Sequence, residues 1–248
     1  MAWYSEFEIP PQFQLQNVGT QSWEQFTEQS EHIVPEVKSE LLNCLETTGE
    51  NPKVLDFGCG IGRIALKLWQ DCQLPTHGCD INPEAINYLS RQLNGQETDK
   101  GPELCVTNYT PPLPYEDDFF DAVFSISIWT HLPPSLQVPW LEEIHRILKP
   151  GAHALISIAS ISLLPFRKKR LPVWENYTEA DVKREGVLFT EYRFLEKTPE
   201  AYPGVTESYG AAMHDYDYIT DVWGSVFETL EIKPQAIHGA QDLIVLKK

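Results

Sequence analysis

The sequence predicts an α/β fold, a doubly wound, seven-stranded and mostly parallel sheet with helices on both faces. Three observations lead to it. From Lys53 onward, short β-like runs alternate with longer amphipathic segments, the pattern of a parallel sheet covered by helices. A glycine-rich turn closes the first run and opens the first helix, and the chain of 248 residues, 42% of them hydrophobic, is long enough for one such domain with an elaboration over its site.

The elements follow in order. Residues 1–50 form an N-terminal arm and helices. Up to Gly19 the chain carries Trp3, Tyr4, Phe7, Pro10, Pro11 and Phe13 without periodicity, and reads as an arm lying on the body. From Ser22 to Thr47 apolar residues recur at three and four, which predicts helices broken near Pro35. Residues 51–159 form the core. Strands are expected at Lys53–Phe57, Thr76–Asp80, Glu103–Thr107, Asp121–Ser127 and Ala152–Ala159, with helices at Gly62–Asp71, Pro83–Leu93 and Ser135–Leu148. Lys149-Pro150-Gly151 reads as the stop before the fifth strand. Residues 160–222 break the rhythm with many aromatics and charges, and are expected to form a cap inserted between strands five and six. Residues 223–248 supply the last two strands, Phe227–Lys233 and Asp242–Leu246. The whole chain is read as one domain.

Composition limits the function. The formal charge of -17 disfavours a nucleic-acid partner, because it repels a phosphate backbone. The basic run Arg167-Lys168-Lys169-Arg170 reads as a solvated loop or helix end. Five cysteines, Cys44, Cys59, Cys72, Cys79 and Cys105, form an odd set without a CxxC pair and are read as reduced and mostly buried. Acidic pairs do not cluster with histidines at ligand spacing, so no metal is implied. No segment reaches the roughly 20 apolar residues of a membrane span, and the N-terminus lacks a basic start and apolar run. A cytoplasmic location, no membrane partner, and a monomer or homodimer are expected.

The strongest chemical signal is Val54-Leu55-Asp56-Phe57-Gly58-Cys59-Gly60-Ile61-Gly62-Arg63, a strand ending beside an acid, then a GxGxG turn that opens a helix. Glycines suit unusual backbone angles and the close approach of a ligand to main chain, and helix-start amides can hold an anionic group. Asp80 ends the next strand, where a carboxylate accepts from both hydroxyls of a ribose. A nucleoside-bearing ligand follows. A nicotinamide dehydrogenase is the rival, but its GxGxxG spacing is not met here.

On these residues the chain resembles the class I, Rossmann-like methyltransferases over roughly residues 50–159. Leu113-Pro114-Tyr115-Glu116-Asp117-Asp118-Phe119-Phe120-Asp121, Thr130-His131-Leu132 and Leu148-Lys149-Pro150-Gly151 are similar to later landmarks of that family. The resemblance implies S-adenosyl-L-methionine as cofactor. Asp56 would face its methionine amino group, Gly58, Cys59, Gly60, Gly62 and Arg63 would wrap its methionine part, and Asp80 with Ile81 would bind its ribose. Asn108, with Tyr109, occupies a position where the family commonly has an acid near adenine, and Ser125 with Ile126 lies where a strand end approaches the cofactor amine. Asn for Asp is a departure, though an amide oxygen still accepts. The final Gln241-Asp242-Leu243-Ile244-Val245-Leu246 resembles the end of the small-molecule branch.

The sulfonium methyl of that cofactor is already electrophilic, so catalysis needs chiefly alignment and exclusion of water. Of the seven histidines, His131 is read either as packing the start of the next helix or as a general base. His214, beside Asp215, is the second candidate base or else a surface residue. The acceptor is expected to be an O or N nucleophile of a small molecule, aromatic or apolar in character, met by Trp3, Tyr4, Trp129, Trp174 and Tyr192. An inactive cofactor-binding protein and a nicotinamide-dependent reductase are the alternatives.

Overall fold

A computed structural model of the chain describes residues 7–46, 48–74, 76–94, 103–170, 172–191 and 209–248. Trp3, Tyr4 and Tyr192 lie outside the described residues. The strands form one seven-stranded sheet and one two-stranded sheet, and the chain divides into two compact units.

Of the described residues, the first unit holds those up to Tyr109 and Phe120–Phe124. Its elements are α1 (Gln12–Asn17), α2 (Trp23–Leu45), β1 (Val54–Phe57), α3 (Arg63–Cys72), β2 (Thr76–Asp80), α4 (Pro83–Asn94), β3 (Leu104–Val106) and β4 (Phe120–Ser125), whose last residue belongs to the second unit. β1 is flanked in parallel by β2 and β4, and β2 by β3. β1 is buried at all four positions, as expected of a strand covered on both faces.

Two expectations for the N-terminal region are corrected. The arm contains a helix, α1, which Pro11 precedes at φ -53 and whose Leu15 is buried beside Phe7 in one apolar cluster. The helix expected to break at Pro35 is continuous from Trp23 to Leu45. Proline removes the N–H that would reach the carbonyl of Glu31. Both Pro35 and Glu31 are exposed, so water can satisfy that carbonyl, while Phe26, Ile33, Val34, Val37 and Leu41 stay buried on the opposite face.

The second unit holds Thr110–Phe119, Ser125–Arg193 and Glu207–Lys248. It comprises α5 (Pro134–Ile147), β5 (Leu148–Ile158), α6 (Leu164–Arg170), α7 (Glu179–Glu185), β6 (Val187–Glu191), β7 (Gly210–His214), α8 (Tyr216–Asp221), β8 (Glu228–Ile237) and β9 (Gln241–Lys247). β9 runs antiparallel to both β5 and β8, and the order across the large sheet is β3-β2-β1-β4-β5-β9-β8.

Lys149-Pro150-Gly151 ends the helix as expected, yet the tripeptide belongs to β5. Leu148 is already extended, and the Gly151 N–H donates to the Lys248 carbonyl at 3.0 Å. The arrhythmic 160–222 segment is built from short elements with their own core. β6 and β7 pair antiparallel as a separate sheet, and Ile161, Leu164, Trp174, Val182, Leu188, Ala211 and Met213 pack together. Its missing period reflects elements of five to seven residues, too short to show one. The basic run ends α6. Only Cys59 and Cys79 of the cysteines are buried, which corrects the expectation that most would be. Among the described residues, no helix is long and apolar enough to cross a membrane.

Candidate functional site

The first unit builds a cradle from the ends of β1 and β2. The chain leaves β1 through Gly58, Gly60 and Gly62, all at positive φ, and Gly62 opens α3 in the left-handed conformation. The N–H groups of Gly58 and Cys59 donate to the Cys79 carbonyl at 2.8 and 3.0 Å, which fastens the turn to the end of β2. Asp80 then uses both carboxylate oxygens: Oδ2 accepts from the Gly60 N–H and Oδ1 from the Asn82 N–H, each at 2.8 Å. Each oxygen keeps accepting capacity, which is what two ribose hydroxyls require.

The glycines have a second reason besides turn geometry. A Cβ on Gly62 would lie 2.3 Å from Leu89 Cδ1, and one on Gly60 would lie 3.2 Å from Val18 Cγ1. At Gly62 the space a side chain would occupy is filled by α4, so close packing fixes that residue type.

Electrostatics mark the same cradle. Asp56 is buried at the end of β1, and burial, with the charge of Asp80 second, pushes its carboxyl well above the usual range. Asp80 is also raised by burial, against the backbone hydrogen bonds that lower it. A buried and a half-buried carboxylate, the charge of Asp80 raising Asp56, form a site a cation would relieve, and the α-ammonium of a methionine moiety is such a group. Burial and the two acids raise the Cys59 thiol as well, so it is no thiolate nucleophile.

The other expected cofactor contacts fall differently. Arg63 turns toward the N-terminal helices: Nη2 donates to the Val18 carbonyl at 3.0 Å, Nη1 to Gln29 Oε1 at 3.2 Å, and the guanidinium lies 4.7 Å from the Phe26 ring centre. Burial brings its pKa down to about 10. Ile81 is half-buried, Asn108 exposed and Tyr109 half-buried, with Thr107 tied to β2 through the Asp80 carbonyl.

Ser125 and Ile126 lie in the second unit, Ser125 buried and Ile126 half-buried. Two residues on, Ser127 adopts φ +66, uncommon for a serine. Three hydrogen bonds of 2.7 Å hold it there: its N–H donates to Ser157 Oγ, Ser157 Oγ donates to Gln241 Oε1, and Gln241 Nε2 donates to Ser127 Oγ. A strained residue just past a strand end is a feature of functional loops.

Both candidate histidines lie in the second unit. Nδ1 of His131 sits 2.8 Å from the Gly210 carbonyl, so that nitrogen carries the proton and Nε2 the lone pair. The ring stacks on Tyr209 at 4.9 Å, and burial brings its pKa down to about 4. His214 is fully buried, which corrects its reading as a surface residue. Its Nδ1 donates to the Ala159 carbonyl at 3.2 Å, Gln137 approaches Nε2 at 2.9 Å, and Trp223 packs edge-on. Burial brings this imidazole to about 4 too.

The two described aromatics among the expected acceptor contacts, Trp129 and Trp174, are not surfaces. Trp129 is fully buried edge-on to Trp223, and Trp174 packs with Tyr177 inside the core of the inserted segment. Large aromatics close small cores, which overrides their use as a ligand wall. Residues that the sequence reading missed include Asn82, whose Oδ1 caps α4 by accepting from the N–H groups of Glu84 and Ala85. The Asn82-Pro83 pair is itself a helix-start signal. Ser127, Ser157 and Gln241 carry no local signal, since only the sheet brings them together. Among the described residues, no group of three or more His, Cys, Asp or Glu is placed to hold a metal ion.

Comparison with known proteins agrees with the cradle. A methyltransferase-domain family matches residues 54–151. The chain is 31% identical to a demethylmenaquinone methyltransferase of Lactiplantibacillus plantarum over 154 residues, covering 60% of this chain and 62% of that protein. It is 35% identical to a tRNA (carboxymethyluridine(34)-5-O)-methyltransferase of Arabidopsis thaliana over 115 residues, 46% of this chain and 26% of that protein. It thus spans less than two thirds of the length of these curated relatives. In fold it resembles a SAM-dependent methyltransferase of Methanosarcina mazei, with a TM-score of 0.57 and 24% identity over 81% of this chain and 93% of that one. Residues 54–151, in which β1 carries a buried acid and β2 ends on the carboxylate that grips the glycine turn, match a methyltransferase domain, and the fold is that of the S-adenosylmethionine-dependent methyltransferase it resembles.

Proposed function

We propose that this chain moves the methyl group of S-adenosylmethionine to an oxygen or nitrogen nucleophile of a small, aromatic or apolar molecule. The observation that carries the reading is Asp80, fixed by the Gly60 and Asn82 amides beside the buried Asp56. When bound, the cofactor supplies an electrophilic sulfonium methyl. Asp56 would pair with its ammonium and Asp80 would accept its ribose hydroxyls, while the glycine turn would wrap the methionine part. The net charge of -17 and the likeness to a quinone-precursor methyltransferase support a small acceptor over a polynucleotide.

Whole-chain function also draws on the second unit. We read residues 160–222 as the part that selects the acceptor. His131, neutral with Nε2 as its basic nitrogen, is the residue we assign to receive or orient an acceptor proton. His214, with both ring nitrogens engaged, is read as structural.

Calorimetric titration with S-adenosylhomocysteine, beside NADH as control, tests the cofactor reading. Micromolar binding of the former alone is expected. Labelled S-adenosylmethionine is then offered with pooled small aromatic and apolar acceptors and, separately, with unmodified tRNA. Label in the small-molecule pool supports the proposal, and label in tRNA alone overturns the acceptor class.

A further inference from the structure

Two polar atoms of α1 are buried without a partner. Among the described residues nothing hydrogen-bonds Asn17 Nδ2 or Gln14 Oε1, and Gln14 as a whole is only 3% exposed. A buried donor and a buried acceptor left unpaired each cost free energy, so such groups call for a partner.

The face that carries them is laid on the glycine turn. Positions 14, 17 and 18 stand three and four apart, and the Val18 N–H donates to the Gln14 carbonyl at 3.3 Å, so the helical turn runs on to Val18. Val18 Cγ1 lies 3.2 Å from where a Cβ on Gly60 would stand, and the Val18 carbonyl accepts from Arg63 Nη2 at 3.0 Å. Leu15 anchors α1 in the apolar cluster that also holds Cys59 and Ile61 of the turn. Gly60 is the residue whose N–H Asp80 grips. All of these residues belong to the first unit.

The cradle needs groups of this kind. Asp56 and Asp80 suit the ammonium and the ribose of the cofactor, but its methionine end also carries a carboxylate. Arg63, the basic residue of the motif, spends its guanidinium on Val18 and Gln29. Neutral N–H donors can hold a carboxylate instead. An amide nitrogen on Asn17 and an amide oxygen on Gln14 match the two ends of an α-amino acid. Both residues lie upstream of the segment 54–151 that matches the methyltransferase family.

We propose that α1 forms the outer wall of the methionine subsite, with Asn17 Nδ2 donating to the carboxylate and Gln14 Oε1 accepting from the ammonium beside Asp56. The assignment rests on the cofactor reading above and deepens it.

The test is calorimetric titration of the full chain with S-adenosylhomocysteine and, in parallel, with methylthioadenosine, which keeps the adenosine and the sulfur but lacks the amino-acid end. Asn17→Asp puts a like charge where the donor was. It is expected to weaken S-adenosylhomocysteine at least about tenfold and to change methylthioadenosine less than about twofold. Gln16→Ala, exposed on the same helix, is expected to leave both within about twofold. Should Asn17→Asp lose its cooperative melt, Gln14→Leu carries the test, with a weakening of about threefold or more confined to S-adenosylhomocysteine. If the unaltered chain binds neither ligand, the cofactor reading itself fails. If the unaltered chain binds S-adenosylhomocysteine and a folded Asn17→Asp binds it as well or better, or loses both ligands alike, α1 does not hold the amino-acid end and the cofactor reading stands without it.

Discussion

In the first unit, Asp56 is a buried and Asp80 a half-buried acid, and the carboxyls of both are raised, Asp56 in part by the charge of Asp80. In the second, the half-buried His131 and the buried His214 are imidazoles whose pKa values are brought down to about 4, hydrogen-bonded to the carbonyls of Gly210 and Ala159. The two cases teach different things about buried ionisable groups. Among the described residues no ion pair meets either acid, which is the signature of a site completed by a cationic ligand. His214, with both ring nitrogens engaged, gives up its charge and is satisfied internally, which is the signature of a scaffold, whereas for His131 it is Nδ1 that meets a carbonyl.

The largest effect is expected where the second unit's internal satisfaction is broken. A Cβ on Gly210 would lie 2.1 Å from the Thr190 carbonyl oxygen, which is backbone and cannot step aside. Gly210→Ala should therefore separate β7 from β6, displace the acceptor of His131 Nδ1, and cost about 3 kcal/mol or more in a denaturant melt. A loss under about 1 kcal/mol means that the hairpin tolerates the methyl and that His131 is not held by it.

Next comes the first unit's ligand. Asp80→Ala should weaken S-adenosylhomocysteine about 100-fold, because it removes the ribose acceptor and frees the Gly60 amide from the turn. A change below about threefold would move the cofactor's ribose elsewhere.

The pH dependence gives the two regions opposite signs. His214 falls from 6.5 to about 4 on folding, so its contribution is complete above pH 6.5 and is lost as pH falls from about 6.5 to about 4. That loss amounts to about 3 kcal/mol at most. Asp56 is raised on folding, so its stabilising contribution belongs to low pH and is lost as pH rises above its unfolded value of 3.8. Unfolding measured from pH 4 to 8 should show a shallower acid limb in His214→Phe. An unchanged acid limb shows that this imidazole is not the group responsible.

The smallest expected effect is the sharpest for the comparison. Asp56→Asn removes uncompensated buried charge, so the unliganded protein should gain about 1 kcal/mol while S-adenosylhomocysteine binds about tenfold more weakly. Loss of stability in the unliganded variant would show that the fold does compensate Asp56, and the contrast with the histidines would disappear.

The sequence made the first unit legible because its signals are local. Val54–Phe57, the glycine turn and Asp80 are each read within a few residues, and the structure places strand, turn and helix within a residue or two of expectation. The side-chain partners of Arg63 are not legible locally, because Val18 and Gln29 lie 45 and 34 positions upstream, one just past α1 and the other within α2. In the inserted segment the aromatics of a cap and those of a core look alike in one dimension. Trp174 became core because short elements need large side chains to close their interior, and Trp129, outside that segment, is buried against Trp223. The Ser127–Ser157–Gln241 ring depends on residues far apart in the chain meeting across the sheet, which periodicity cannot reveal.

The glycine motif is usually regarded as a self-contained cassette, but Arg63 and Gly60 make it lean on Val18, Gln29 and Phe26. A fragment beginning near residue 50 would retain every letter of the motif, yet it would lose the Val18 and Gln29 acceptors and the Phe26 ring that hold Arg63 at the start of α3. In this chain the portable unit for grafting or domain exchange therefore starts upstream of α1, with the segment that holds the turn from behind.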